Sequence, residues 1–160
     1  MRSNGFSLVE LLAVLAILGV LAAMAMPLAQ MSAERSRESE LKRALWEIRD
    51  ALDAYHEARL SGAIAPPPGA DATGPAYPPT LHALTLLQPD LRANHHGEVL
   101  RFLRRIPPDP FADPALDPEQ TWGVRSYMSE ASKPMPGSEV YDIYSRAAGT
   151  ALNGVPLSQW

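Results

Sequence analysis

Gly5-Phe6-Ser7-Leu8-Val9-Glu10-Leu11-Leu12 opens the stretch that decides this chain, and an uncharged apolar run then continues to Leu28. At 1.5 Å of rise per residue, a helix from Phe6 to Met26 spans ~31 Å, the thickness of a bilayer's hydrocarbon core. An acid at the head of such a segment needs a reason. Asp or Lys at the centre of a spanning helix costs roughly 2.5–3.5 kcal/mol, and Glu behaves similarly. Towards the end of the span the cost is smaller, yet a plain anchor has no use for it. An intramembrane carboxylate therefore points to function and to a cationic partner.

Gly5, Phe6, Ser7-Leu8-Val9, Glu10 and Leu11-Leu12 together resemble the prepilin peptidase site of type IV pilins and of the pseudopilins of type II secretion. The motif combines a small residue, an aromatic, an acid four residues on and a long apolar helix. The resemblance implies that a membrane protease cuts after Gly5 and methylates the new N-terminal Phe6. Residues 1–5 are then a disposable leader. It also supplies the partner for Glu10, namely the α-amine of Phe6, either on a neighbouring subunit or on its own chain one turn away. Two plainer readings compete. One is a secretory signal peptide, with Arg2 as its basic region and Ala23-Met24-Ala25 as its cleavage site. A typical apolar region of that kind is only ~7–15 residues and carries no acid near its start. The other is an uncleaved anchor. Neither accounts for Glu10.

The chain has 160 residues, 16 prolines, 10 glycines and no cysteine. Beyond the leader and the span, roughly 130 residues remain, enough for one modest domain. The formal charge is −4, and about −5 without the leader's Arg2. Basic residues are scattered among acidic ones with no basic stripe or aromatic platform, so no nucleic-acid partner is expected. Many type IV pilins close a C-terminal loop with a disulfide. Lacking cysteine, this chain cannot, which tilts the resemblance towards pseudopilins. Only Arg2 precedes the span, whereas Arg35, Arg37, Lys42 and Arg43 follow it, so the positive-inside rule does not place the N-terminus in the cytoplasm. That orientation, with residues 62–160 periplasmic and a single pass of the bacterial inner membrane, is what the resemblance implies.

Residues 6–28 form the transmembrane half of a long helix and residues 29–61 its amphipathic half. Pro27 lacks an N–H and crowds the carbonyl of Ala23, so the helix is expected to kink or loosen there. Gly19 is a weak helix residue two turns earlier. In the resembled family the segment between such a glycine and proline can unwind on filament packing. Leu41, Leu45, Ile48, Leu52 and Tyr55 then recur at alternating steps of four and three, an apolar stripe flanked by charge. Glu38 and Lys42 are spaced as a favourable i,i+4 pair. No proline or glycine intervenes between Pro27 and Gly62, so one helix from Phe6 to about Leu60 is the economical reading.

The connector 61–79, dense in proline and glycine, is neither helix nor central strand and should cross the surface of the long helix. Thr80 offers an N-cap for a short helix carrying Leu81, Leu84 and Leu87. A second short helix is expected over Val99, Leu100, Phe102 and Leu103. Trp122 to Ser129 and Val140 to Ser145 read as strands joined by a long hairpin loop, and Trp160 as a plug folded back on the domain. The fold class expected is α+β and pilin-like: one long N-terminal helix, packed by its second half on a small domain of short helices and a small antiparallel sheet.

This half carries a further resemblance. Tyr77-Pro78-Pro79-Thr80-Leu81, Leu103-Arg104-Arg105-Ile106-Pro107 with Asp109-Pro110-Phe111, Trp122-Gly123, and Tyr141-Asp142-Ile143-Tyr144-Ser145 are similar to the body of G-type pseudopilins. Calcium is common in that group, bound by an acidic, glycine-rich C-terminal loop. After Tyr144 this chain has no Asp or Glu as far as Trp160, and Asn153 with backbone carbonyls makes a poor calcium site, so no metal or other cofactor is expected. The acids Asp109, Asp113, Asp117 and Glu119 lie among Asp-Pro turns, which account for them. His95 and His96 are adjacent and do not converge on one helix face, which argues against zinc. No nucleophile elbow, phosphate loop or HExxH is present, and nothing supports an enzyme. The resemblance implies a filament subunit whose partners are other pseudopilins, the prepilin peptidase, an inner-membrane assembly platform and membrane lipid. The alternatives are a minor pilin of a type IV pilus or DNA-uptake filament, and a periplasmic binding module or enzyme that uses the helix only for export.

Overall fold

The structure, a computed structural model, describes residues 7–69, 74–95, 97–130 and 132–160, and for residues 24–27 only the backbone. Residues 1–5, expected as a leader, and the expected cleavage position between Gly5 and Phe6 lie outside the described residues. The architecture is the expected α+β, pilin-like one: helix α1, Leu8–Leu60, is followed by short 3-10 turns and short antiparallel strands. The chain divides into two units, Met1–Arg37 and Glu38–Trp160, and α1 contributes residues to each.

In the first unit α1 runs without interruption over Gly19 and Pro27. Every described side chain from Leu8 to Ala23 is exposed, although nearly all are apolar.

In the second unit, the helical stripe buries itself as its spacing predicts. Leu41, Leu45, Ile48, Leu52 and Tyr55 are all buried, and they pack with Ile64, Leu81, Leu84, Leu103, Trp122 and Ile143 into one core. Tyr55 meets the Phe102 ring edge-on at 5.2 Å. Burial, partly offset by the Arg59 charge, pushes the Tyr55 hydroxyl above its ordinary pKa. The described part of the connector lies against α1. Its Tyr77 ring stacks on His56 at 4.2 Å and meets Tyr141 edge-on at 5.1 Å.

Two strand pairs complete the unit. β1, Gln88–Pro89, pairs antiparallel with β2, Val99–Leu100. β3, Trp122–Arg125, pairs antiparallel with β4, Asp142–Ser145. Both members of the second pair are shorter than the sequence indicates. Past Arg125 the Tyr127 amide donates to Glu139 Oε1, and the Val140 amide donates to the Pro78 carbonyl, so neither is left for the ladder. Gly123 faces Tyr144 across the pair, and the Tyr144 ring lies over it. A Cβ at Gly123 would stand 2.2 Å from Tyr144 Cζ. Gly123→Ala should therefore destabilise the domain by ~1–3 kcal/mol, the usual cost of overpacking, read as a lower urea midpoint of the full chain in detergent. An unchanged midpoint would mean that the ring swings away freely.

Three local expectations are corrected. Val99 to Leu103 is not a helix: Val99 and Leu100 pair with Gln88 and Pro89, and the Leu103 amide donates to the Leu84 carbonyl at 2.9 Å. Thr80 precedes a single 3-10 turn, Leu81–Thr85, without capping it through its side chain, and Leu87 is exposed outside that turn. Glu38 and Lys42 do not pair. Glu38 Oε1 accepts the Leu152 amide at 2.5 Å, while Lys42 Nζ sits 4.3 Å from the centre of the Trp160 ring. Both charges thus hold the C-terminal segment, and Trp160 folds back on α1 as anticipated.

Candidate functional site: the N-terminal helix

Ser7 stands just ahead of α1, and its carbonyl accepts the Leu11 amide at 3.1 Å, closing the first turn. Glu10 lies in that turn. The unsatisfied amides of a helix start carry roughly half a positive charge, so this is where an acid is best tolerated on the helix itself. Among the described residues no cation pairs with Glu10 and no hydrogen bond satisfies it. Its carboxylate is exposed on a stretch of helix, Leu8 to Ala23, otherwise made of Leu, Val, Ile, Ala and Gly19.

The segment is long and apolar enough to cross a membrane, and none of its most apolar window is buried within the molecule. Exposed Leu8, Leu12, Leu15, Ile17 and Leu21 would each lose stability in water, at ~25 cal/mol per Å² of apolar surface. A lipid phase or neighbouring helices remove that cost. Gly19 sits in open space, where an added Cβ meets no atom within 4 Å, so no packing among the described residues requires a glycine there.

The remaining acids of the sequence reading accept hydrogen bonds, some within local turns and some from distant residues. Asp113 Oδ1 accepts the Ala115 amide, Asp117 Oδ1 accepts the Glu119 amide, and Glu119 Oε1 accepts the His82 amide. Asp109 is buried, with its carboxylate taking the Phe111 amide at 2.8 Å and the Ser145 hydroxyl at 2.5 Å. In the C-terminal loop Asn153 Oδ1 accepts the Val155 amide, which ties it into a turn. Asp142 bridges Arg49, at 2.8 Å, and Arg125, at 2.6 Å, clasping β3 and β4 to α1.

One cluster escaped the sequence reading. His95, weighed there only against His96, lies between Asp90 and Glu98 in the loop joining β1 to β2. His96 is outside the described residues. The Arg92 side chain hydrogen-bonded to Asp90 holds that carboxyl well below its ordinary range, at about 2, against the opposing effect of burial. No local spacing signal marks this grouping, because a hairpin turn brings the three together.

No characterised protein and no solved structure matches the chain. Residues 1–26 match the family model described as Prokaryotic N-terminal methylation motif. The chain therefore carries a prepilin-type N-terminus of the type IV pilin-like kind, on a helix suited to anchoring in a membrane.

Proposed function

We propose that the chain is a pseudopilin subunit of a type II secretion filament, similar to the G type, and that its work is mechanical. The observation that carries this reading is the methylation motif at residues 1–26, continuing into an exposed apolar helix whose first turn holds Glu10. The subunit waits in the inner membrane with its N-terminus cytoplasmic and residues 62–160 periplasmic. A prepilin peptidase removes residues 1–5 and methylates Phe6. An assembly platform then lifts the subunit out of lipid into a filament of like subunits. Glu10 meets the Phe6 amine of a neighbour there, while Gly19 and Pro27 let the helix adjust. Growth of the filament drives folded proteins across the outer membrane. The motifs from Tyr77 to Ser145 support the secretion branch. We assign no calcium role to the C-terminal loop, since it lacks carboxylates and Asn153 is already used.

The alternative reading is a minor pilin of a type IV pilus or uptake filament, to which the same N-terminal motif is equally suited; adjacency of the gene to secretion or pilus genes separates the two. N-terminal sequencing with intact-mass measurement tests the shared premise. The expected mature protein begins at N-methyl-Phe6. A start at Met26 would instead make it an exported module, and retention of Met1 a simple anchor.

A further inference from the structure

The loop from Asp90 to Glu98, between β1 and β2, collects a carboxylate, an imidazole and a second carboxylate whose ligand atoms all lie within 4.8 Å of one another. Their backbone is held by its own bonds. The Asp90 amide donates to the Glu98 carbonyl at 2.9 Å, the Glu98 amide to the His95 carbonyl at 3.1 Å, and the His95 amide to the Arg92 carbonyl at 3.0 Å. The Leu91 amide donates to the Ala63 carbonyl at 2.9 Å, fastening the loop to the end of the helical region.

His95 Nδ1 stands 2.7 Å from Glu98 Oε2 and 3.8 Å from Asp90 Oδ2. Ligand atoms ~2.0–2.2 Å from a tetrahedral zinc are roughly 3.3 Å apart. One separation must therefore open, and the other close, by about half an ångström. The His95 and Glu98 side chains are 38% and 64% exposed, free enough to make that adjustment. Asp90 supplies the fixed point, because its side chain has no exposed surface. Its Oδ1 accepts the Arg92 amide and Nε, at 3.0 and 2.9 Å, while Oδ2 takes Arg92 Nη2 and faces His95. Ligating carboxylates are commonly oriented by such outer hydrogen bonds, so Arg92 serves as a positioning residue.

We propose that Asp90, His95 and Glu98 form a zinc site that staples the hairpin loop, with water completing the coordination. The imidazole nitrogen selects a borderline divalent ion over calcium or magnesium, which prefer oxygen alone. With Arg92 included, and His95 neutral as ligation requires, the cluster carries one net negative charge, which attracts a dication. In a chain without cysteine, the staple would close a loop that a disulfide cannot.

The test is equilibrium dialysis of the full chain in detergent against Zn²⁺ alone at neutral pH. Expected is saturable uptake of one zinc per chain, weakened at least about tenfold by His95→Ala and likewise by Glu98→Gln. Circular dichroism should show both site variants folded, since the altered side chains are partly exposed. Absence of saturable uptake overturns the site. So does uptake that survives either site variant, because zinc would then sit elsewhere on the surface.

Discussion

Glu10→Ala should leave the chain inserted in the membrane and clipped after Gly5, yet unable to assemble. At ~4 Å, opposite unit charges attract by ~4 kcal/mol for an effective dielectric of 20. Losing such a contact weakens each subunit junction by up to about a thousandfold. Part of that loss is returned, because alanine no longer carries a charge into an apolar surrounding. The net deficit repeats at every subunit along a filament, so filament yield should fall by at least about tenfold. Sheared filaments quantified by immunoblot read the yield, and intact mass confirms that processing was normal. Filaments at ordinary abundance from processed Glu10→Ala protein would remove the proposed role. Exposure of Glu10 in the first turn of α1 makes it available to another molecule, and substituting it empties no cavity in the core.

Ile48→Ala should unfold the domain far more readily than Trp46→Ala, although only Glu47 separates the two residues. Ile48 has no exposed surface, whereas Trp46, a larger apolar side chain, is 66% exposed. Truncating a buried isoleucine costs ~2–5 kcal/mol through lost transfer energy and the cavity left behind. Natural domains hold only ~5–15 kcal/mol in total, so this is a large fraction. Trp46→Ala removes little buried area and should cost under ~1 kcal/mol. Urea unfolding of the full chain in detergent, followed by near-ultraviolet circular dichroism, compares them. Equal midpoints would contradict the packing of α1 described above.

That contrast also marks what the sequence makes legible. The stepping from Leu41 to Tyr55 identifies the buried face because five positions agree, whereas Trp46 on its own would mislead any reading by size. β3 and β4 are legible from aromatic and β-branched runs between turn formers. Val99 to Leu103 is not, since a short apolar run fits helix and strand alike and its fate is decided by distant partners, Gln88 and Leu84. Glu38 and Lys42 have the spacing of a helical ion pair, yet Leu152 and Trp160 compete for them through tertiary contacts. The N-terminal methylation motif is legible because it is contiguous. The grouping of Asp90, His95 and Glu98 is not, since it exists only once the hairpin closes.

Side-by-side crowding of many copies ordinarily invites strands to join across molecules, the route to cross-β aggregates. The strand pairs here offer little template for it. β1 and β2 are two residues each, with a proline in β1 that donates no backbone hydrogen, and β3 and β4 are four residues each. Dense arrays of this domain should stay individually folded, stacking as discrete bodies rather than fusing through their margins.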